Sequence, residues 1–196
     1  MKNIKFLFLV MLGVMFMMTS CDEGALTLTV PLDEVTLDID LEVDAKSMTS
    51  LRSDERVPFT GTYELDLSKP MFDGIREYIN DNRSFTFAVN MVKILVTPLT
   101  TDMNFTLYNF KAEALVDGKQ AFLPFSLPQI QIKQEVTNAL LDAFANELFK
   151  VIQSGQPVTI NVSGEVDRAD VTSGKIGVMQ FILDMAAKID PVSAVD

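Results

Sequence analysis

The chain has 196 residues, with 16 lysines and arginines against 27 aspartates and glutamates, and a net charge of −11 at neutral pH. Such a charge repels phosphate backbones and excludes a nucleic-acid partner on electrostatic grounds. The sequence has no histidine, no tryptophan and one cysteine. The commonest general base, the commonest metal ligand, every Ser–His or Cys–His pair and any internal disulfide are therefore missing, which argues for a non-catalytic protein without a cofactor.

The first twenty residues read as a secretory signal peptide. Lys2 and Lys5 give a basic start, Phe6 to Met18 is an apolar run broken only by Gly13, and Thr19 and Ser20 precede Cys21. The run is too short to span a bilayer, which takes about 20 apolar residues. A lone free thiol is out of place in an oxidising envelope, whereas a lipid-capped one is not. The stretch Met18-Thr19-Ser20-Cys21 resembles the lipobox of bacterial lipoproteins. The resemblance implies a diacylglyceryl thioether on Cys21, cleavage before it, acylation of the new amino terminus (palmitate as a typical chain) and a membrane as partner through that lipid. Cys21-Asp22-Glu23 also resembles the start of lipoproteins of the Bacteroides group, in which acidic residues after the cysteine accompany export to the cell surface. In enteric bacteria an aspartate directly after the cysteine goes with retention at the inner membrane. The placement expected is lipid-anchored in the cell envelope, at the outer membrane, on its periplasmic or surface face. The chain then divides into a signal peptide at 1–20, a lipidated anchor and leader at 21–24, and a single β-sandwich domain at 25–196. Cleavage leaves 176 residues with 14 basic and 27 acidic side chains, a net charge of −13, and enough chain to bury a core.

Leu26, Leu28, Val30 and Leu32 alternate in one phase, and Val35, Leu37, Ile39, Leu41 and Val43 in the other. Pro31 and Asp33-Glu34 lie at the change, so the strand is expected to break, bulge or turn there. Ala45 to Arg56 is polar and without a period, a loop or a short helix. Val57, Phe59, Tyr63, Leu65 and Leu67 alternate, with Gly61 in phase. Ser68-Lys69-Pro70 looks like a helix start, and Met71 to Asn80 is predicted as a helix with Phe72, Ile75 and Ile79 on one face.

Phe85 to Leu99 is a strand. Phe85, Phe87, Val89 and Met91 alternate, while Val92 to Val96 is apolar apart from Lys93 and points to cover on both faces. Thr100-Thr101-Asp102 reads as a turn and Met103 to Val116 as the returning strand. Its apolar phase shifts from Phe105 and Leu107 to Tyr108, Phe110, Ala112 and Ala114, which predicts a bulge. Asp117-Gly118 is a hairpin turn. Gln120 to Ile132 is extended, and Pro124 and Pro128 confine it to an edge or an irregular strand. Gln134 to Ser154 is a helix. Leu141, Phe144, Leu148 and Ile152 recur at helical spacing, Leu140 and Val151 widen the stripe, and Gly155 lies just past the end. Val158, Ile160, Val162 and Val166 alternate as a strand. The last segment admits two readings. Met179, Phe181, Leu183, Met185, Ala187 and Ile189 alternate as a strand would, and Met179, Ile182, Leu183, Ala186 and Ile189 fit a helix; the β-rich context favours the strand. The fold expected is mainly β, a β-sandwich of the fibronectin or immunoglobulin kind with two helices, with α+β as the alternative.

Phe122 to Asp190 forms a pattern of its own: a proline-bearing extended segment, an amphipathic helix, a Gly-Gln-Pro link, the strand Val158-Thr159-Ile160-Asn161-Val162-Ser163-Gly164-Glu165-Val166 and a long final strand. It resembles the late part of the late-embryogenesis-abundant water-stress domain, a fibronectin-like β-sandwich with a helix near its end. The resemblance implies a fold and no functional residue.

Two carboxylate groups call for weighing. Asp38, Asp40, Glu42 and Asp44 share one strand face, roughly 6.5–7 Å apart along it, and offer hard oxygen ligands to Ca²⁺. A calcium loop folds around its ion, however, and a flat strand does not, so a solvated face that deters edge pairing is favoured. Glu165 with Asp167 and Asp170 could form an acid–base pair at the roughly 5–9.5 Å that glycosidases use; solvent-facing charge is again favoured. Ser163-Gly164 lacks the glycine of a nucleophile elbow, and no phosphate loop or dinucleotide fingerprint is present. Five of the eleven methionines, at 1, 11, 15, 17 and 18, lie in the signal region; those at 48, 71, 91, 103, 179 and 185 read as core fillers. The functional expectation is a lipid-anchored envelope module, non-catalytic, with an envelope protein as partner. The alternative is a carrier of lipid or another apolar ligand in a cavity between sheets.

Overall fold

The computed structural model describes residues 28–32, 34–50, 55–66, 68 and 85–189. The helix predicted at Met71 to Asn80, the signal segment and Cys21 lie outside these residues. In chain order the elements are β1 (Leu28–Pro31), β2 (Val35–Val43), α1 (Ala45–Ser50), β3 (Arg56–Leu65), β4 (Phe85–Pro98), β5 (Thr106–Val116), β6 (Lys119–Gln120), β7 (Phe125–Gln131), β8 (Val136–Thr137), α2 (Ala139–Gln153), β9 (Val158–Asp167) and β10 (Gly174–Ile189). The fold is mainly β, as the alternation predicts; the α-helices among the described residues are α1, in the stretch expected as a loop or a short helix, and α2, within the helix expected at Gln134 to Ser154. Among the described residues every strand pairing is antiparallel.

The strands form one hydrogen-bonded path, β6-β5-β9-β3-β2-β10-β4-β8, with β7 beside β5 and β1 beside β10. The path folds over at β2 and β3, which pair only through Glu42 with Thr60 and Val43 with Phe59. Beyond that corner the two strands diverge. Residue 61 has no room for a side chain there: a Cβ on Gly61 would lie 2.5 Å from the Asp40 carbonyl oxygen and 2.8 Å from Ile39 Cγ2. The two halves of the curled sheet turn their apolar faces to one shared core. Val35, Leu37, Ile39, Leu41 and Val43 from one half are buried, as are Val57, Phe59, Leu65, Val158, Ile160 and Val162 from the other. Each such side chain contributes about 1.5–3 kcal/mol on burial.

The break predicted around Pro31 to Glu34 is present and short. β1 and β2 run along the same edge of β10, with Pro31 opposite Ala186 and Val35 opposite Leu183. Between them Leu32 N–H donates to the Met185 carbonyl at 3.0 Å. The ambiguous last segment is a strand, and it is central, pairing with β1, β2 and β4. Met179, Phe181, Leu183, Met185 and Ala187 face the core.

The phase shift in β5 is a bulge at Asn109, whose φ is 50°. Opposite it, Gly164 lets the chain close in, since a Cβ there would sit 2.7 Å from the Tyr108 carbonyl oxygen. Asp117 and Gly118 both have positive φ, 49° and 74°, as a tight hairpin turn requires. Among the described residues β7 pairs with β5 alone, the edge position being one of the two that its prolines predict.

Three expectations need correction. The apolar second half of β4 is fully buried on one face, at Val92, Ile94 and Val96, and only partly covered on the other, at Lys93 and Leu95. An extra residue at Asn90 interrupts the pairing with β10 and moves the buried positions from Phe87 and Val89 to Val92, Ile94 and Val96. β5 does not return along β4. β4 pairs with β10 and β8, and β5 with β9, β7 and β6, so residues 99–105 carry the chain between the two halves of the sheet. The long helix begins later than Gln134. Val136 and Thr137 pair with β4, and Asn138 then caps α2, its side chain accepting from Leu140 N–H at 2.8 Å. At the other end Gly155, φ 79°, lies just past the helix as expected.

α2 closes the open side of the curl. Leu141, Phe144, Ala145, Leu148, Phe149 and Ile152 are buried. Phe149 meets Phe87 of β4 edge-on at 5.7 Å, while Phe144 meets Phe122 at 5.2 Å and Phe125 at 6.3 Å. One helix therefore ties the β4 end of the sheet to the β7 end.

Candidate functional site

The acidic stripe of β2 is dispersed among neighbours. Asp38, Asp40, Glu42 and Asp44 are exposed. Asp38 Oδ1 accepts from Gln180 Nε2 at 2.9 Å, Asp40 pairs with Lys175 Nζ at 2.7 Å, and Asp44 Oδ1 accepts from Lys46 N–H at 2.9 Å at the start of α1. Among the described residues no three acidic side chains converge on a point that could hold a metal ion. Asp38 also acts on Tyr63. Partial burial first, and this carboxylate second, push the phenol above its ordinary value of 10.0.

Glu165 and Asp167 lie on the outer face of β9 and are engaged separately. Asn109, turned outward by its bulge, donates to Glu165 Oε2 at 2.8 Å. Arg56 Nε meets Asp167 Oδ1 at 3.3 Å, and its guanidinium lies 3.5 Å over the Tyr108 ring. Asp170 is exposed in the short 3-10 turn that follows β9. The arrangement is a bonded surface network that links β3, β9 and β5.

A groove on the surface is not foreseeable from the sequence. It has a volume of about 410 Å³ and runs between α2 and the chain from Phe122 to Ser126, with Leu140, Ala143, Phe144 and Glu147 on the helix side. Its floor is aromatic, because Phe122 and Phe125 stack against Phe144. Two large apolar side chains stand in water beside it: Leu123, 83% exposed, and Leu140, 66% exposed. Glu147 at the rim pairs with Lys150. The local cause lies in the link from β6 to β7. Ala121 N–H still bonds to the Ala114 carbonyl at 2.9 Å, but Pro124 cannot donate, and the chain swings out before β7 resumes pairing at Phe125.

Leu140, expected to widen the buried stripe of the helix, faces outward instead, beside the capped first turn. Met91, expected as a core filler, is 38% exposed because the Asn90 bulge moves it off the buried phase, whereas Met179 and Met185 are buried. Met71 lies outside the described residues, as does the lipid-attachment candidate Cys21.

No family model and no curated protein matches the chain. One solved structure, of tobacco necrosis virus, is 12% identical, and the match covers 80% of this chain and 95% of that one at a TM-score of 0.28. A likeness that slight has no bearing on function.

Proposed function

We propose that this chain is a non-catalytic binding module of the cell envelope, held at a membrane by lipid on Cys21 and offering the α2 groove to a protein partner. The groove carries the binding half of the reading. An acidic domain leaves Leu123 and Leu140 in water beside three phenylalanine rings, and contiguous apolar surface with aromatic anchors is the usual make-up of a contact site. The anchor half rests on the sequence from Met18 to Cys21. Two or more acyl chains hold a protein stably at a bilayer, so no further membrane element is required.

The alternative is a carrier of lipid or another apolar ligand. A volume of about 410 Å³ falls within the roughly 300–1,000 Å³ of small-molecule sites, so a carrier would use this groove, which lies outside the sheet layers.

A photoreactive residue placed at Leu123 in the cell separates the two. Cross-linking to one envelope protein, abolished by Leu140→Glu, supports the module. Lipid retained in native mass spectrometry, with no cross-link, moves the assignment to the carrier. With neither result the groove is not the binding site. The anchor is tested apart from this, by incorporation of labelled palmitate. Label should enter the wild-type chain and be lost in Cys21→Ser; label retained in that variant defeats the anchor.

A further inference from the structure

One stretch of chain covers the outer edge of β4 residue by residue. Val89 N–H donates to Asn146 Oδ1 and Val89 C=O accepts from Asn146 Nδ2, both at 3.1 Å. Val92 N–H donates to Asp142 Oδ1 at 2.7 Å. Lys93 and Ile94 pair with Thr137 and Val136, and Val96 C=O accepts from Lys133 N–H at 2.8 Å. Two bonds to a single residue are what a facing strand supplies in a hydrogen-bonded antiparallel pair. A helix side chain here reproduces that pattern where no described strand lies alongside. The bulge at Asn90 makes this possible by bringing the amides of Val89 and Val92 to the same side.

We propose that residues 133–146 are an edge guard. Their cover keeps β4 from pairing with β4 of a second copy, and removing Asn146 and Asp142 opens that edge to strand addition. A free strand edge templates pairing with another chain. An antiparallel pair of identical edges across a two-fold axis is self-complementary, so a second copy fits without any other sequence. The freed segment runs from Val89 to Val92: Val89 and Val92 face the core, and Asn90 and Met91 stand in water between them. The inference is independent of the groove and of the lipid anchor.

The test uses the full chain in a density-matched detergent, with Asp142→Ala and Asn146→Ala combined. Amide exchange at Val89 and Val92 should quicken at least tenfold, and sedimentation equilibrium should register a dimer that grows with concentration. Leu148→Ala is the control. It weakens the same helix without uncovering the edge, and at a matched margin below its unfolding midpoint it should stay monomeric. Met91→Lys, which puts a charge on the opened edge, should return the double variant to monomer. Fast exchange with a monomer at every concentration overturns the proposal, as does equal association of Leu148→Ala. If the double variant does not fold, Asn146→Asp takes its place, because it keeps the acceptor for Val89 N–H and loses the donor to Val89 C=O. Faster exchange at Val89 together with a concentration-dependent dimer then supports the guard, and faster exchange in a strict monomer overturns it.

Discussion

Asn146 holds both backbone groups of Val89, its Oδ1 accepting from the N–H and its Nδ2 donating to the C=O, each at 3.1 Å. The second Nδ2 hydrogen goes to the Asp142 carbonyl at 2.8 Å, one helical turn back. The side chain is half-buried between α2 and β4, so water cannot fully replace it. Asn146→Ala is expected to cost about 1–3 kcal/mol, the range for leaving a buried polar group without its partner. Chemical denaturation with an unchanged slope and a lower midpoint is the readout. From the helical period alone Asn146 lies off the apolar stripe and looks free, which would make the alanine variant neutral; a neutral variant would mean that the two bonds to Val89 contribute nothing net.

Gly61 should be intolerant of any side chain. A Cβ there would lie 2.5 Å from the Asp40 carbonyl oxygen and 2.9 Å from Val162 Cγ2, and the first of these neighbours is backbone at the β2–β3 corner. Gly61→Ala must push the corner apart, at a cost of about 1–3 kcal/mol or more, as overpacking generally does. Gly118 is the comparison. It has open space around it and a φ of +74°, so Gly118→Ala incurs only the left-handed penalty of about 1–2 kcal/mol. Thermal unfolding of the two variants should also separate them by recovery, since the corner sets how the halves of the sheet meet and the turn does not.

Tyr63 should make the fold sensitive to alkali. Burial and the Asp38 carboxylate raise its pKa in the folded state above 10.0. A raised folded value means that the unfolded chain loses the proton first as pH rises. The stabilisation is therefore whole below pH 10 and is lost as pH climbs from there through the folded value. Tyr63→Phe, which cannot ionise, should flatten the fall in stability above pH 10 relative to wild type. Parallel curves for the two proteins would mean that the phenol is not held in its neutral form by the fold.

What is legible in the sequence follows from periodicity. Val35 to Val43 alternates with period two, and that alone puts it in a half-buried sheet; Met179 to Ala187 alternates too, but it also fits a helix and needs its β-rich context to be read as a strand. Asp117-Gly118 reads as a turn because both positions tolerate positive φ. The bulge at Asn109 is readable because the apolar phase shifts across it, while the one at Asn90 is hidden by Met91 and Leu95, which keep the run apolar on both sides of the slip. Which strands pair is decided by contacts far apart in sequence, and so β5 looks like the partner of β4. The groove is out of reach for a related reason. Leu123 and Leu140 are ordinary apolar letters, and their exposure depends on where Pro124 turns the chain and on which side of the α2 cap the first helical residue falls. Cys21 is the reverse case: its assignment rests wholly on sequence.

The two leucines of α2 test the helix directly. Leu148 is 2% exposed in the shared core, and Leu140, two turns earlier, is 66% exposed beside the groove. Truncating a packed leucine removes its transfer energy and leaves a cavity, about 2–5 kcal/mol together. That is a large part of a typical domain stability of about 5–15 kcal/mol. Truncating the exposed one removes neither. Leu148→Ala should therefore lower the unfolding midpoint clearly, and Leu140→Ala should leave it within about 0.5 kcal/mol of wild type, as surface changes do. If the helix were turned so that its apolar stripe included Leu140, as the sequence period allows, both variants would lose stability. A carrier with its ligand seated in the groove would keep this stability pattern and show, in addition, a large change in bound apolar ligand on Leu140→Ala. Equal, large losses at both positions would show that α2 packs by a different face, and the groove with its two exposed leucines would not exist in solution.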